Sequence, residues 1–279
     1  MSAFETPILT VKNLNKQFGS GCTKCREDKS NLIKNYCPSC GTVYACRDIS
    51  FSLYEGEILG VVGESGSGKS TMMQCLYFDQ AESDGEMRLR NYQTQANLFE
   101  ESDQQKRYIR NHLFGMIYQN PIYGLKMNFS AIGNIAEKLI AAGSRNVALM
   151  NERGYGLLER VNIPLYRIKE PPKNFSGGMQ QRVQIAKALS NNPPILFLDE
   201  VTTGLDLSVQ ANVLDLIKHI QRDLKISMIV VSHDLAVIRM LADRTVVMLN
   251  GEIIESGLTD QILEDPQHPY TQELVYSLI

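Results

Sequence analysis

The apolar residues of this chain gather into short runs. Ile58 to Val62, Phe114 to Tyr118, Ile195 to Leu198 and Met228 to Val231 are compact and almost wholly apolar, the pattern of buried strands. Leu9 to Leu14 and Asp48 to Leu53 alternate or cluster their apolar side chains as strands do, and the second leads through the turn Glu55-Gly56 into the run at Ile58. Between such runs, Ser70 to Tyr77 reads as the start of a helix, and Ile132 to Ala142 and Arg153 to Val161 read as amphipathic helices. Another helix opens at Ser176-Gly177-Gly178 after Pro171-Pro172 and carries Met179, Val183, Ala186 and Leu189 on one face. Asn250-Gly251, between Thr245 to Leu249 and Glu252 to Ser256, is a hairpin signal. Residues Asp79 to Glu101 are polar and carry no assignable pattern. Strands alternating with helices predict an α/β chain with a small antiparallel addition near its end and a helical subdomain over 122–190.

Chemistry sits at the ends of these runs. Val62-Gly63-Glu64-Ser65-Gly66-Ser67-Gly68-Lys69-Ser70-Thr71 joins a buried strand to a helix, and its glycines let backbone N–H groups turn inward as a phosphate cradle, a P-loop. Gly63, Ser65, Gly66, Gly68 and Thr71 belong to that cradle. Lys69 is expected to contact the β- and γ-phosphates and Ser70 to ligate Mg²⁺. A glycine-rich turn without phosphate chemistry is the blander alternative, and the strand-loop-helix context argues against it. Ile195-Leu196-Phe197-Leu198 ends in Asp199-Glu200, where one carboxylate can hold Mg²⁺ through water and the other can polarise an attacking water. The run at Met228 ends in Ser232-His233-Asp234; a lone His is more often structural, but this imidazole follows a strand pointing to the same edge and could bond a γ-phosphate. Ser176 and its two glycines open a helix as an anion site would, a weak signal taken alone.

Composition narrows the setting. With 279 residues, 43% of them apolar and 21% charged, the chain can bury a large core. A net charge of -3 argues against nucleic-acid binding by bulk charge. The N-terminus shows no signal-peptide pattern and no run is long and apolar enough to span a bilayer, so a cytoplasmic protein is expected. Of six cysteines, four form the pairs Cys22-x-x-Cys25 and Cys37-x-x-Cys40, a zinc-ribbon or zinc-knuckle pattern over residues 22–40. Four thiolates would close a structural Zn²⁺ site, offset in charge by Lys24, Arg26, Lys29 and Lys34. An iron-sulfur cluster, a redox-active dithiol pair or four free thiols are the alternatives. Cys46 and Cys75 stand outside the pattern as expected buried thiols.

Jointly these residues resemble the ATP-binding cassette (ABC) ATPase family: Walker A at Gly63 to Thr71, Q-loop Gln119, signature Ser176 to Gln180, Walker B Ile195 to Glu200, D-loop Gly204-Leu205-Asp206 and switch His233. The resemblance spans nearly the whole chain, 4–279. It implies a P-loop NTPase fold with a RecA-like core, an antiparallel β subdomain and an α-helical signature subdomain, here with a small zinc-ribbon-like insert of four cysteines and a C-terminal extension over 258–279. It also implies ATP and Mg²⁺ as cofactors, with Gln119 and Ser70 among the Mg²⁺ ligands, Glu200, His233 and Gln119 as catalytic residues, and hydrolysis of ATP to ADP and phosphate. The family pairs two copies head to tail, so that Ser176, Gly177 and Gly178 complete the nucleotide site of the other subunit, and Asp206 counts among the nucleotide-binding residues. An aromatic residue stacks on adenine; Phe18 occupies the matching position, with Tyr44 as a rival. Val201 stands where the family usually has a proline, which removes no chemical group.

Within the family, Asp265-Pro266-Gln267-His268-Pro269-Tyr270-Thr271 looks like the ending of two groups, oligopeptide-type importer ATPases and the ABC subunit of bacterial carbon-phosphorus lyase. The importers commonly carry Gln-Asp-Pro followed by Ser-Leu-Asn-Pro, whereas here Gln119-Asn120-Pro121-Ile122-Tyr123-Gly124-Leu125 runs into Lys126-Met127, similar to the lyase subunit. Ser130 to Leu139 and Gly204 to Gln210 also look closer to the lyase form. The expected partners are therefore a second copy and the lyase core, in phosphonate catabolism. A membrane permease, with this chain peripheral to the inner membrane, is the alternative, and a zinc-dependent adaptor that only binds ATP is a third.

Overall fold

The computed structural model describes residues 6–27, 31–93 and 96–276. In chain order the elements are β1 (Leu9–Phe18), α1 (Thr23–Glu27), β2 (Val43–Leu53), β3 (Ile58–Val62), α2 (Lys69–Leu76), β4 (Asp84–Leu89), α3 (Asp103–His112), β5 (Phe114–Ile117), α4 (Pro121–Gly124), α5 (Ala131–Ala141), α6 (Val147–Arg160), α7 (Gly177–Ala188), β6 (Ile195–Asp199), α8 (Leu207–Leu224), β7 (Ser227–Val231), α9 (Leu235–Leu241), β8 (Arg244–Leu249), β9 (Glu252–Leu258), α10 (Thr259–Glu264) and α11 (Pro269–Tyr276). They divide into two compact units, residues 1–102 with 230–279, and residues 103–229. The expected limits 4–279 run at both ends onto residues outside the described ones, as does Lys29. The expected 122–190 segment falls inside the second unit.

In the first unit, β2, β1 and β4 form an antiparallel sheet in that order. The sequence pattern predicts a first strand ending at Leu14, but the strand continues to Phe18. Register shifts between Val11 and Leu14 and again up to Gln17 break the two-residue alternation, so the continuation carries no period to read. Strand β4, in the stretch without a pattern, pairs only with β1 in this sheet and buries just Met87 and Leu89. β3 is buried at all five positions and pairs in parallel with β8, Val61 opposite Val246. β8 turns through Asn250 and Gly251, both at positive φ as a type I′ turn demands, into antiparallel β9. Glu57, buried just before β3, accepts from Arg244 Nη1 at 3.0 Å and from the Tyr54 amide at 2.7 Å; burial pushes its carboxyl upward and these partners oppose that.

In the second unit, β5 and β6 pair in parallel, with Gly115 opposite Leu196 and Met116 opposite Phe197. Phe114 and Phe197 are fully buried and meet edge to face, their centroids 5.1 Å apart. Helix α6 begins at Val147, well before the Arg153 that periodicity predicts. Asn146 caps it by accepting from the Ala148 and Leu149 amides, while Val147 and Leu149 stay exposed, so its first turn shows no apolar face. Helix α3 buries only Ile109 and is invisible to pattern for the same reason. Helix α8 follows the usual signals: Asp206 caps it, and Val213, Leu214, Leu216, Ile217 and Ile220 repeat at helical spacing. Among the described residues, no helix is long and apolar enough to cross a membrane.

Replacing Phe114 by Ala removes one half of the ring pair from a closed core and is expected to lower stability by about 3–5 kcal/mol. Urea unfolding followed by circular dichroism measures it; a loss below about 1 kcal/mol would mean that the site collapses around the deletion.

Candidate active site

The loop after β3 is shaped by glycines. Gly63, at φ 151, faces the Met248 carbonyl so closely that a Cβ would lie 2.1 Å from its oxygen, and at Gly68, φ 103, a Cβ would lie 2.0 Å from the Ala45 carbonyl oxygen. No side chain caps α2, whose N-cap is Gly68. The helix therefore presents its first amides as a phosphate site requires. Lys69 is buried and its Nζ donates to the Gly63 and Glu64 carbonyls, both at 2.8 Å. A loop closed tightly at its glycines, an uncapped helix start and a tethered cation fit a nucleotide's phosphates. In the same unit, the Ser232 amide donates to Val61 of β3 at 3.1 Å, which brings the end of β7, and so exposed His233, beside the strand that feeds the loop. Asp234 caps α9 through the Ala236 amide at 2.8 Å.

Phe18 ends β1 and is 43% exposed, with the Lys16 ammonium 5.0 Å from its ring centroid. Tyr44 is engaged elsewhere, since its hydroxyl donates to Cys25 Sγ at 3.3 Å and this bond pushes the phenol up to about 12. The four insert cysteines are gathered. Cys22 Sγ lies 3.6 Å from Cys25 Sγ and 3.9 Å from Cys37 Sγ, Cys25 and Cys40 are 3.7 Å apart, and all four sulfurs lie within 4.8 Å of one another. A tetrahedron with metal-sulfur bonds of about 2.3 Å has edges of ~3.8 Å, so the thiols match a single-metal site with four sulfur ligands. Disulfide bonding, which needs about 2.05 Å, is absent from these pairs. The Cys22 backbone, then the Tyr44 hydroxyl, pull the Cys25 thiol down to about 6, whereas burial pushes Cys37 up to about 11. Cys46 and Cys75 are buried away from the cluster, and burial raises both, the state of unreactive thiols.

In the second unit, Gln119 Nε2 donates to Glu200 Oε2 at 2.9 Å, and the Thr203 hydroxyl donates to the same oxygen at 3.2 Å. Glu200 sits at φ 46, a left-handed position, immediately after buried Asp199 at the end of β6. Ser176 caps α7, its Oγ accepting from the Met179 amide at 3.4 Å. Gly178 lets α7 approach α8 so closely that a Cβ would lie 2.4 Å from Val209 Cγ1, and Gly177 faces Leu205. Asp206 uses its carboxylate locally, accepting from the Ser208 hydroxyl at 2.7 Å and the Val209 amide at 3.0 Å, and these bonds, the hydroxyl first, hold it below the usual carboxylate range.

Two residues that the motif reading passed over carry this arrangement. Gln184 clasps the Tyr118 backbone, accepting from its amide and donating to its carbonyl, each at 3.0 Å, and also donates to Gln181 Oε1 at 2.7 Å. Gln181 Nε2 in turn donates to the Val201 carbonyl at 3.0 Å and the Gln119 carbonyl at 3.3 Å. Both side chains are buried. The signal was available as two glutamines placed three apart on an otherwise apolar helix face. Val201, at the unusual non-proline position, is buried and joins the clasp through its carbonyl.

A mixed α/β fold, a P-loop and a carboxylate pair at a strand end define a nucleotide-binding ATPase. Residues 46–203 match the ABC transporter family, and the chain belongs to it. It is 44% identical to PhnK of Escherichia coli (strain K12), named as a phosphonates utilization ATP-binding protein, over 90% of this chain and 96% of that one. The oligopeptide transport ATP-binding protein OppD of Bacillus subtilis (strain 168) is 39% identical over 85% of this chain and 67% of its own. Among solved structures, the dimeric ATP-binding cassette MJ0796, in a post-hydrolysis state bound to ADP and Pi, is similar with a TM-score of 0.74 and 26% identity, over 90% of this chain and 98% of that one.

Gln184→Ala removes both bonds to the half-buried Tyr118 backbone and is expected to cost about 1–3 kcal/mol. Urea unfolding checks this, and an unchanged midpoint would show that the clasp carries no weight.

Proposed function

We propose that this ABC ATPase works as a head-to-tail dimer docked on a carbon-phosphorus lyase core, where ATP binding and hydrolysis drive the core's conformational cycle during phosphonate breakdown in the cytoplasm. The observation that carries the reading is the near full-length similarity to PhnK, and the Gln119 to Leu125 loop, which resembles the lyase subunit's form, supports it. Gly124 packs where a Cβ would lie 2.0 Å from Gln184 Oε1, so the Pro-x-x-Gly form is tied to the glutamine clasp. Ile122 and Tyr123 beside it are 61% and 77% exposed and offer apolar surface to a partner. The same loop suits a permease, and OppD supports that second reading, a nucleotide-binding subunit of an oligopeptide-type importer peripheral to the inner membrane.

In this reading Gly63 to Thr71 hold the ATP phosphates and Lys69 turns its ammonium to them. Ser70 and Gln119 would hold Mg²⁺, with Asp199 acting through water, and the ion would neutralise charge on the phosphates. Glu200 accepts a hydrogen bond from the attacking water and aims it at the γ-phosphorus; as the new P–O bond forms, ADP leaves with the electrons of the broken P–O bond and the water's proton passes by way of Glu200 to the released phosphate. The Gln119 amide nitrogen steadies Glu200, and its carbonyl oxygen is the atom that would face the metal. His233 bonds the γ-phosphate. Phe18, the more exposed aromatic and the one not bound to the cysteines, stacks on adenine. Ser176, Gly177, Gly178 and Asp206 serve the partner copy's nucleotide, Asp206 by setting the start of α8. Cys22, Cys25, Cys37 and Cys40 hold one structural Zn²⁺. We further assign 122–190 as the helical signature subdomain and 258–279 as a C-terminal extension.

Glu200→Gln is expected to trap an ATP-bound dimer in size-exclusion chromatography and Lys69→Ala to stay monomeric; a monomeric Gln variant in ATP would refute the sandwich. Equal, near-zero turnover in wild type and Glu200→Gln would instead favour an adaptor that only binds ATP. Affinity purification that recovers lyase subunits supports the leading role, and recovery of a permease without them supports the importer. Elemental analysis is expected to find about one zinc per chain, lost when Cys37→Ser and Cys40→Ser are combined; iron in its place, or no metal, would reject the zinc assignment.

A further inference from the structure

Glu64, the residue after Gly63 in the phosphate loop, has both sides of its backbone held. Its carbonyl accepts from Lys69 Nζ at 2.8 Å and from the Ser67 amide at 3.2 Å. Its amide donates to the Tyr270 hydroxyl at 2.8 Å, from a residue 206 positions further along the chain. The segment that presents Tyr270 is itself fixed. Glu255 of β9 accepts from the Gln267 amide at 2.8 Å and the His268 amide at 3.0 Å, and His268 Nδ1 accepts from the Tyr270 amide at 3.1 Å. The Gln272 side chain closes the turn on the Pro266 carbonyl at 3.0 Å. Because β9 pairs with β8 and β8 with β3, the hydroxyl is referenced to the same strands that feed the loop.

The other contact to Glu64 is weaker. Lys34 Nζ lies 3.6 Å from its carboxylate, with both side chains largely in water, a geometry that contributes little. Tyr270 is half-buried, and burial first among the causes raises its phenol, so at neutral pH the oxygen is an uncharged acceptor. An amide bonded to Tyr270 is not offered to phosphate. What the bond fixes is the plane of the Gly63–Glu64 peptide, and with it the carbonyl on the Gly63 side that holds Lys69 at 2.8 Å.

We propose that Tyr270 is a positioning residue for nucleotide binding, its hydroxyl holding the Gly63–Glu64 peptide in the orientation the phosphate loop needs, so that the C-terminal segment forms part of the loop's support. A loop ordered beforehand loses less freedom on binding, and that difference appears in affinity. The inference rests on the reading that this loop binds ATP.

Tyr270→Phe keeps the ring and removes the oxygen. The KM for ATP and the Kd of a fluorescent ATP analogue are expected to rise about 3- to 10-fold, as for loss of one neutral hydrogen bond, while kcat at saturating ATP changes less than about twofold. Hydrogen exchange should quicken at Glu64 and remain unaltered through α11. Glu255→Ala, which loosens the turn without touching the loop, should move KM in the same direction. Unchanged KM and unchanged Glu64 exchange in Tyr270→Phe would overturn the proposal, as would faster exchange throughout α11, which would assign the effect to ring packing. If the wild type itself bound no ATP, the nucleotide reading would fall, and the exchange comparison would still decide whether Tyr270 orders the loop.

Discussion

The closest constraint in the first unit is the approach of two backbone carbonyls to the phosphate loop, Met248 to Gly63 and Ala45 to Gly68. Neither position admits a Cβ, and because the opposing atoms are backbone, no side-chain rotation could make room. The loop is held between β8 and β2, so the registers of both strands are conditions for its shape. Those registers have their own supports: the Asn250-Gly251 turn sets β8 against β9, and the pairing of Leu9 with Leu53 and Phe18 with Val43 sets β2 against β1.

The cysteine insert enters the same chain of dependence. Its knuckle closes through the Cys37 amide on the Thr42 carbonyl and the Gly41 amide on the Cys37 carbonyl, each at 2.8 Å, and β2 begins at the next residue, Val43. Tyr44 ties the first turn of that strand to Cys25, and Ala45 follows it against Gly68. The insert is thus joined to the phosphate loop through a strand. Tyr270 acts on it from the opposite end of the sequence through Glu64.

The second unit solves a different problem, that of holding a carboxylate at a left-handed backbone position. Glu200 lacks the freedom of glycine there, which costs of order 1–3 kcal/mol unless its surroundings fix it. Gln181 grips the next carbonyl, Gln184 grips the Tyr118 backbone, and Gln119 and Thr203 hold the carboxylate itself. The glutamines on α7 thereby couple that helix to the backbone beside both Gln119 and Glu200.

The sequence alone was enough to determine the family and to single out the candidate site residues, because both depend on residue type at fixed spacing: Gly63 to Thr71, Gln119, Ser176 to Gly178, Asp199-Glu200, His233 and the paired cysteines. It also determined the strands buried at every position, such as β3 and β6, where an unbroken apolar run leaves no other stable placement. Elements with little buried surface escaped it, notably β4, α3 and the first turn of α6. Only the tertiary structure decided that Tyr44 serves the cysteines while Phe18 stays exposed, that Gln181 and Gln184 clasp the backbone of Tyr118, Gln119 and Val201, and that Tyr270 reaches Glu64. Each of these is a hydrogen bond or exposure set by residues far apart in the chain, and local pattern carries no information about which distant backbone group a polar side chain will meet.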